Sequence, residues 1–453
     1  MDITEDSRQV KSGALFVAVK GTQVDGHNFI GTACEQGAVG ILIESSFQRT
    51  NLPVFGEKTL AIIEVRDTRA ALGELAARFW KEPSQSLTMI GVTGTNGKTT
   101  VTHLAKGLLE GASRTVGLVG TIGCYVGSEH FPTSHTTPGS VALQSMLNKM
   151  VNAGADSAVL EVSSHALAMD RVKGCEFDIV VFTNLTQDHL DFHHDMEDYF
   201  KAKSRLFQEY VAPKNKQSPK QAIVNVDDEW GKQIFRQCSV PAWSYGIRNQ
   251  ADFRATNLSL SINGTTFTAL TPVGPMAISS SLVGEYNVYN LLAAISIGVA
   301  CGLLPEAIQR GIQNFRSVPG RFELIHEGQE FIVVVDYAHT EDALARLLTT
   351  ARAFKKGRIL TVFGCGGDRD RDKRPKMGQV AAKNSDLVFV TSDNPRTEDP
   401  LAILQDIELG MVDLPELQRK AYRLIPDRRE AIYAAIKEAK PQDIVLIVGK
   451  GHE

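Results

Sequence analysis

The segment Gly91-Val92-Thr93-Gly94-Thr95-Asn96-Gly97-Lys98-Thr99-Thr100 constrains this chain more than any other. It follows an apolar run, Leu87 to Val92, and precedes a helix-like stretch opening near Lys98, so it reads as the turn of a βα unit. Such a turn brings backbone N–H groups and a helix N-terminus to one point, which suits phosphate. Lys98 supplies neutralising charge there and Thr99 a hydroxyl for Mg²⁺. The strict phosphate-loop pattern wants glycine six residues before the lysine, where this chain has Val92. A glycine-rich turn without a ligand is the competing reading, and the strand-to-helix context weighs against it.

Local clusters of this kind must hold any anionic ligand, because 48 basic residues against 52 acidic ones leave a net charge of -4. No general attraction to nucleic acid or to an anionic membrane is expected. A chain of 453 residues, 43% of them hydrophobic, suggests roughly two to four domains. The acidic start, Met1 to Asp6, lacks the basic and apolar regions of a secretory signal. The longest apolar stretch, Leu291 to Leu304, is too short to span a bilayer and is expected as a buried helix. Cys34, Cys124, Cys175, Cys238, Cys301 and Cys365 form no Cys-x-x-Cys pair, so reduced thiols in a cytoplasmic protein are expected.

Up to residue 84, apolar runs (Ala14 to Val19, Val39 to Ile43) and a helix-like stretch (Thr68 to Trp80) predict a small α/β domain. Pro83-Ser84-Gln85-Ser86 reads as its exit linker. Further strands are predicted over Ala158 to Val162, Ile179 to Thr183 and Ala222 to Val226, with helical spacing over Met196 to Tyr210. Alternation around Asn263-Gly264 predicts a hairpin, hence an antiparallel addition to a parallel central sheet. After Pro319-Gly320, strands predicted over Phe331 to Val335, Arg358 to Phe363, Leu387 to Thr391 and Asp443 to Val448 alternate with helices, as in a doubly wound domain. The expected division is 1–84, 85–316 and 317–453, all of α/β class, with no repeats.

The variant loop Gly94-Thr95-Asn96-Gly97-Lys98-Thr99 resembles the ATP signature of the Mur ligase superfamily. Glu161-Val162-Ser163-Ser164-His165, Asn184 to Asp191, Ala202-Lys203, Asn287-Val288-Tyr289-Asn290, Gly320-Arg321 and Asp336-Tyr337-Ala338-His339 resemble its successive blocks, in order. The resemblance implies an N-terminal UDP-binding domain, a central ATPase domain and a Rossmann-like C-terminal domain. It also implies amide formation through an acyl phosphate, with ATP and Mg²⁺ as cofactors. ATP contacts are implied at Gly94, Thr95, Asn96, Gly97, Lys98, Thr99 and Thr100, with Asn287 near adenine, Asp336 at ribose, Arg321 at phosphate, and His339. From the residues alone, Asn287 fits a helix cap and Asp336 a strand end equally well. By the same resemblance Lys98, Glu161, His189 and Lys203 are catalytic; Thr99 and Glu161 hold one Mg²⁺, and His189 and a carbamylated Lys203 (N6-carboxylysine) the second. Outside the motif, such a glutamate or histidine is more often structural, and such a lysine faces solvent.

Within the superfamily, the muramoyl-tripeptide (MurE) type is indicated by Asp6-Ser7-Arg8 with Gly13 to Ala18, by Thr136-Thr137-Pro138 and by Gly364 to Arg369. Asp393-Asn394-Pro395-Arg396 resembles the block of enzymes that use meso-diaminopimelate, whose second carboxylate suits a guanidinium fork. Amino-acid contacts are implied at Arg369, Asp393, Asn394, Pro395, Arg396, Gly449 and Glu453. The UDP-muramoyl dipeptide is expected at Ser7, Thr22, Gln23, Val24, Thr136, Thr137, Ser163 and Arg171. The pattern departs at His135, Met169 and Glu341, where relatives carry Asn, Gln and Pro, and the resemblance implies a chain shortened at both ends. The implied role is peptidoglycan precursor synthesis, and with it cell-wall biogenesis, shape and division, by a cytoplasmic monomer with small-molecule partners only. A lysine-adding or folylpolyglutamate-type ligase and a nucleotide-dependent binding module are the alternatives.

Overall fold

The computed structural model describes residues 2–21, 24–48, 50, 52, 60–127, 129–133, 135–211, 216, 218–415 and 421–451. The first unit contains β1 (Asp2–Thr4), β2 (Ala14–Val17), α1 (Ile30–Glu35), β3 (Gly40–Glu44), β4 (Ala61–Val65) and α2 (Thr68–Phe79). Its strands form one parallel sheet in sequence order. Helix α2 starts where the Asp67 carboxylate accepts from the backbone N–H groups of Arg69 and Ala70. It buries Leu72 against Ile3, Val17 and Leu42. Its other side meets the central unit at Gly73, where a Cβ would come within 2.8 Å of the Lys173 carbonyl oxygen.

The central unit contains β5 (Thr88–Thr93), α3 (Lys98–Gly111), β6 (Val116–Val119), β7 (Cys124–Val126), β8 (Glu129–Phe131), α4 (Ser140–Asn152), β9 (Ser157–Glu161) and α5 (Ser164–Ala168). It continues through β10 (Ile179–Phe182), α6 (Met196–Arg205), β11 (Gln221–Asn225), α7 (Glu229–Gln237), β12 (Ala242–Gly246), β13 (Phe253–Ser261), β14 (Gly264–Leu270), β15 (Met276–Ser280), α8 (Glu285–Ala300) and α9 (Pro305–Asn314). Its 11 strands lie in the order β15-β14-β13-β12-β11-β10-β5-β9-β6-β7-β8. The middle of the sheet is parallel and covered on both faces, which is why β5, β9 and β10 read as continuous apolar runs. The Asn263-Gly264 turn joins antiparallel β13 and β14 as expected. A second antiparallel edge, β6-β7-β8, gave no comparable cue, its outer strands being three residues each.

Two helix expectations are corrected. The stretch from Leu291 is buried only to Gly298, and α8 itself runs to Ala300; Gly302, at φ 75°, follows its end, and Leu304 is 70% exposed. The stretch over Met196 to Tyr210 is α-helical to Arg205 and continues as a π-helical turn.

The third unit contains β16 (Glu323–Ile325), β17 (Ile332–Asp336), α10 (Glu341–Phe354), β18 (Ile359–Phe363), α11 (Lys373–Asn384), β19 (Leu387–Val390), α12 (Pro400–Val412), β20 (Ala421–Leu424), α13 (Arg428–Glu438) and β21 (Ile444–Val448). The order is β16-β17-β21-β18-β19-β20, parallel except for the edge strand β16. In open α/β sheets ligands gather beyond the carboxyl ends of such strands. Here the ends of β5, β9 and β10 and those of β17, β18, β19 and β21 supply loops to one cleft of about 1540 Å³.

Candidate active site

The loop between β5 and α3 turns through Gly94 (φ 146°) and Gly97 (φ 90°). Side chains are excluded at both: a Cβ would lie 1.9 Å from Thr183 Oγ1 at Gly94 and 2.4 Å from Asn290 Oδ1 at Gly97. The segment after β10 braces the loop. Asn96 N donates to Asn184 Oδ1 (3.0 Å), Thr95 N to the Asn184 carbonyl (2.8 Å) and Thr183 Oγ1 to the Asn96 carbonyl (2.6 Å). The opening turn of α3 leaves N–H groups without intrahelical acceptors, pointed at the cleft. Lys98 Nζ folds back to the carbonyls of Gly94 and Thr95, both at 2.9 Å, and burial holds its ammonium below the usual lysine range.

Glu161 ends β9 beside this loop and is fully buried. Its carboxylate accepts from Thr99 Oγ1 (3.0 Å), Thr121 N (2.9 Å) and Thr121 Oγ1 (3.0 Å), while Arg321 Nη2 donates to Thr99 Oγ1 (3.1 Å). The oxygens of Thr99 and Glu161, side by side at a phosphate loop, are a donor set that fits a hard divalent cation. No group of three or more His, Cys, Asp or Glu side chains disposed around a common metal position occurs among the described residues. His189 holds a left-handed backbone (φ 56°), and its Nε2 lies 3.3 Å from Asp188 Oδ2. Burial pushes its imidazole down to about 3, so it is neutral at physiological pH, the form that ligates metal.

Lys203 lies beneath the phosphate loop at 1% exposure. Its Nζ donates to the Gly94 carbonyl (2.9 Å), the same oxygen that Lys98 uses, and sits 4.5 Å from the Tyr199 ring centroid. Burial first, and the Lys98 charge second, hold its amine well below the usual lysine range. No carboxylate pairs with it among the described residues.

On the facing wall, Asp336 closes β17, and its carboxylate accepts from the backbone N–H groups of Phe322 (2.7 Å) and Ala338 (2.8 Å). The Arg321 guanidinium lies 4.8 Å from the Tyr337 ring centroid, and His339 Nδ1 is 3.1 Å from the Tyr337 carbonyl. Farther along, Arg369, Asp393, Asn394, Arg396 and Gly449 line the same cleft. Arg369 and Arg396 are exposed and have no ion-pair partner among the described residues. Among the described residues, Arg396 Nη1 reaches the Gly367 carbonyl (2.7 Å) and, at 3.4 Å, that of Asn394.

Of the residues singled out from sequence, Thr95 to Thr100, Thr136, Glu161, Ser163, Arg171, His189, Arg321, Asp336, His339, Arg369 and Arg396 line this one cleft. Asn287 stands behind its wall, its amide donating to the Val283 carbonyl (2.8 Å) and accepting from Asn290, which does line the cleft. Thr137 is buried, donating to the Glu161 carbonyl (2.8 Å), and Pro395 lies outside the lining. Ser7 and Val24 stand in the first unit, away from the cleft lining. Thr22, Gln23 and Glu453 lie outside the described residues. Sequence reasoning missed Thr121, whose cue is Gly120-Thr121 directly after an apolar strand, and Asp342. The Asp342 carboxylate accepts from Asn96 Nδ2 (3.1 Å) and Thr186 Oγ1 (3.3 Å), tying α10 to the phosphate loop.

Three family descriptions match the chain: "Mur ligase family, catalytic domain" over residues 2–80, "Mur ligase middle domain" over 92–298, and "Mur ligase, glutamate ligase domain" over 320–451. The UDP-N-acetylmuramoyl-L-alanyl-D-glutamate--2,6-diaminopimelate ligase of Bacillus velezensis is 46% identical over 455 residues, covering 100% of this chain and 90% of the relative. That of Geobacter metallireducens is 44% identical over 459 residues, covering 99% and 88%. A solved structure of a protein of that name superposes with a TM-score of 0.71 at 35% identity, covering 100% of this chain and 90% of the other. The MurF structure from Acinetobacter baumannii, at 21% identity, TM-score 0.69 and coverage of 99% and 89%, shares the fold.

Proposed function

The chain belongs to the Mur ligase family, and from that membership we propose that it adds meso-2,6-diaminopimelate to UDP-N-acetylmuramoyl-L-alanyl-D-glutamate in the cytoplasm, consuming ATP. The division 1–84, 85–316 and 317–453 assigns the UDP end, ATP and the amino acid to successive units. The observation that carries the substrate assignment is the pair of unpaired guanidiniums, Arg369 and Arg396, opening on the cleft that holds the phosphate loop. An amino acid with a second carboxylate completes them, whereas lysine would bring an ammonium to two cations. Lysine addition is the second reading: Asp370, beside Arg369 in the cleft lining, is the acid that could meet its ammonium, but two guanidiniums stand at the same end.

The reaction needs two anions brought together and then separated from water. A carboxylate oxygen of the dipeptide attacks the γ-phosphorus of ATP, and the bond to the ADP oxygen breaks. The amine of diaminopimelate then attacks the acyl carbon, phosphate leaves, and the amine proton passes to solvent or base. Lys98 and the first turn of α3 meet the phosphates, and Arg321 is placed to follow the transferred group. Thr99 and Glu161, and separately His189, are the residues that would hold Mg²⁺, which offsets phosphate charge when bound. Lys203, its amine held well below the usual lysine range by burial, is suited to capture CO₂ when unprotonated: an N–C bond forms, a proton leaves, and the buried site gains a carbamate anion. Asn287, the residue assigned to the adenine, reaches the cleft through Asn290, which donates to it and lines the cleft.

The test is product identification by mass spectrometry after incubation with UDP-MurNAc-L-Ala-D-Glu, ATP and either meso-diaminopimelate or lysine. The diaminopimelate tripeptide with stoichiometric ADP is expected. Preferential formation of the lysine product would overturn the substrate assignment.

A further inference from the structure

Arg374, in the first turn of α11, is the largest fully buried side chain among the described residues, with 0% exposure. A buried guanidinium persists only where carboxylates answer it. Here two do: Nη2 lies 2.7 Å from Glu398 Oε1, and Nη1 lies 3.0 Å from Glu398 Oε2 and 2.8 Å from Asp406 Oδ2. None of the three lines the cleft. Their contacts instead run outward into the two loops that carry the exposed arginines. Glu398 Oε1 also accepts from the Asp368 backbone N–H (2.6 Å), and Asp368 in turn accepts from Thr397 N (3.1 Å) and Thr397 Oγ1 (2.7 Å). Gly367 N donates to the Asn394 carbonyl (2.9 Å), and Arg396 Nη1 returns to the Gly367 carbonyl (2.7 Å). A side chain at Gly366 would lie 2.9 Å from Arg396 Nη1.

Asp368 and Arg396 both hold left-handed backbone, at φ 50° and φ 52°. That conformation is unfavourable for residues with a Cβ and lasts only where surrounding contacts over-determine it. Each lies beside a stitched position: Arg369 follows Asp368, and Arg396 precedes Thr397.

We propose that Arg374, Glu398, Asp368 and Thr397 form a clamp that positions Arg369 and Arg396 relative to each other, and so sets the spacing at which the pocket reads a carboxylate. They are positioning residues, not contact residues, and among the described residues their hydrogen bonds stay within the two arginine-bearing loops and the helices behind them. The inference rests on the reading that Arg369 and Arg396 meet the amino-acid substrate.

The experiment measures KM and kcat for meso-diaminopimelate, KM for ATP, and the preference over lysine, in the full chain and in Arg396→Ala, Thr397→Val, Thr397→Ser and Glu398→Gln. Thr397→Val leaves the buried Arg374 pairs intact and serves if Glu398→Gln folds poorly. Thr397→Val should raise KM for diaminopimelate about tenfold, with kcat and KM for ATP little changed, because displaced reading groups weaken binding steeply. Thr397→Ser, which keeps the hydroxyl, should restore the wild-type value. If Arg396→Ala erodes the preference while Thr397→Val and Glu398→Gln leave KM and preference untouched, the clamp is refuted and the pocket reading stands. If Arg396→Ala itself changes nothing, the pocket reading fails, and the clamp falls with it.

Discussion

In the phosphate loop the groups that meet charge are already engaged within the protein: Lys98 on two carbonyls, Thr99 on Glu161, Asn96 on Asn184 and Asp342. Across the cleft, Arg369 and Arg396 are exposed, with no carboxylate at ion-pair distance among the described residues, and the order lies one layer behind them, in the Arg374 pairs. On the proposed assignment, the nucleotide half is thus preorganised at the contact surface, and the amino-acid half is preorganised beneath it. Internal satisfaction suits a ligand that every cycle presents in the same form. Unpaired surface charge suits discrimination, because a ligand lacking the complementary group leaves the charge unanswered.

The comparison breaks most completely at Lys98. Lys98→Ala should cost on the order of a thousandfold or more in ligation, since the transferred phosphoryl loses its cation. Near-normal product formation would remove the ATP assignment of this loop. Lys203→Ala should also be inactive in product assays, yet partly recover when a short carboxylic acid is added, because the missing element is an anion rather than the amine. A fully active Lys203→Ala would eliminate the carbamate. A smaller effect is expected where the halves touch: Asp342→Ala removes acceptors for Asn96 and Thr186 and should raise KM for ATP about fivefold to tenfold, as one charge-assisted hydrogen bond accounts for. An unchanged KM would show that α10 does not steady the loop.

The smallest effect concerns acid. Arg374 holds the Glu398 carboxyl down at about 2 from an ordinary 4.5, so its contribution is complete above the ordinary value and is lost as pH falls through the lower one. Hydrogen-exchange protection of the Asp368 amide should decline over that window before the β5 amides open. Simultaneous loss in both places would deny the amino-acid half its separate support.

The two halves were also unequally legible. Gly94, Gly97 and Lys98 announce themselves in sequence because steric and electrostatic demands fall on adjacent residues. The parallel strands were legible for a similar reason, being buried on both faces and therefore continuously apolar. Arg369 and Arg396 could be singled out only through resemblance to a family. Arg374 carries no local cue, since the acids that bury it arrive 24 and 32 residues later in the chain. Thr121 and Asp342 were hidden likewise, because their partners, Glu161 and Asn96, are 40 and 246 residues distant. The edge strands β7 and β8 are too short for periodicity to register.

The central claim is that unpaired guanidinium on the C-terminal wall selects the amino acid. The direct test is kcat/KM for meso-diaminopimelate and for lysine, at saturating ATP, in wild type and Arg396→Ala. Loss of a bidentate contact to carboxylate should cost about 3 kcal/mol, so diaminopimelate use should fall about a hundredfold or more and the preference over lysine should shrink, with KM for ATP steady. An unchanged preference in Arg396→Ala would contradict the account and leave the amino acid unassigned.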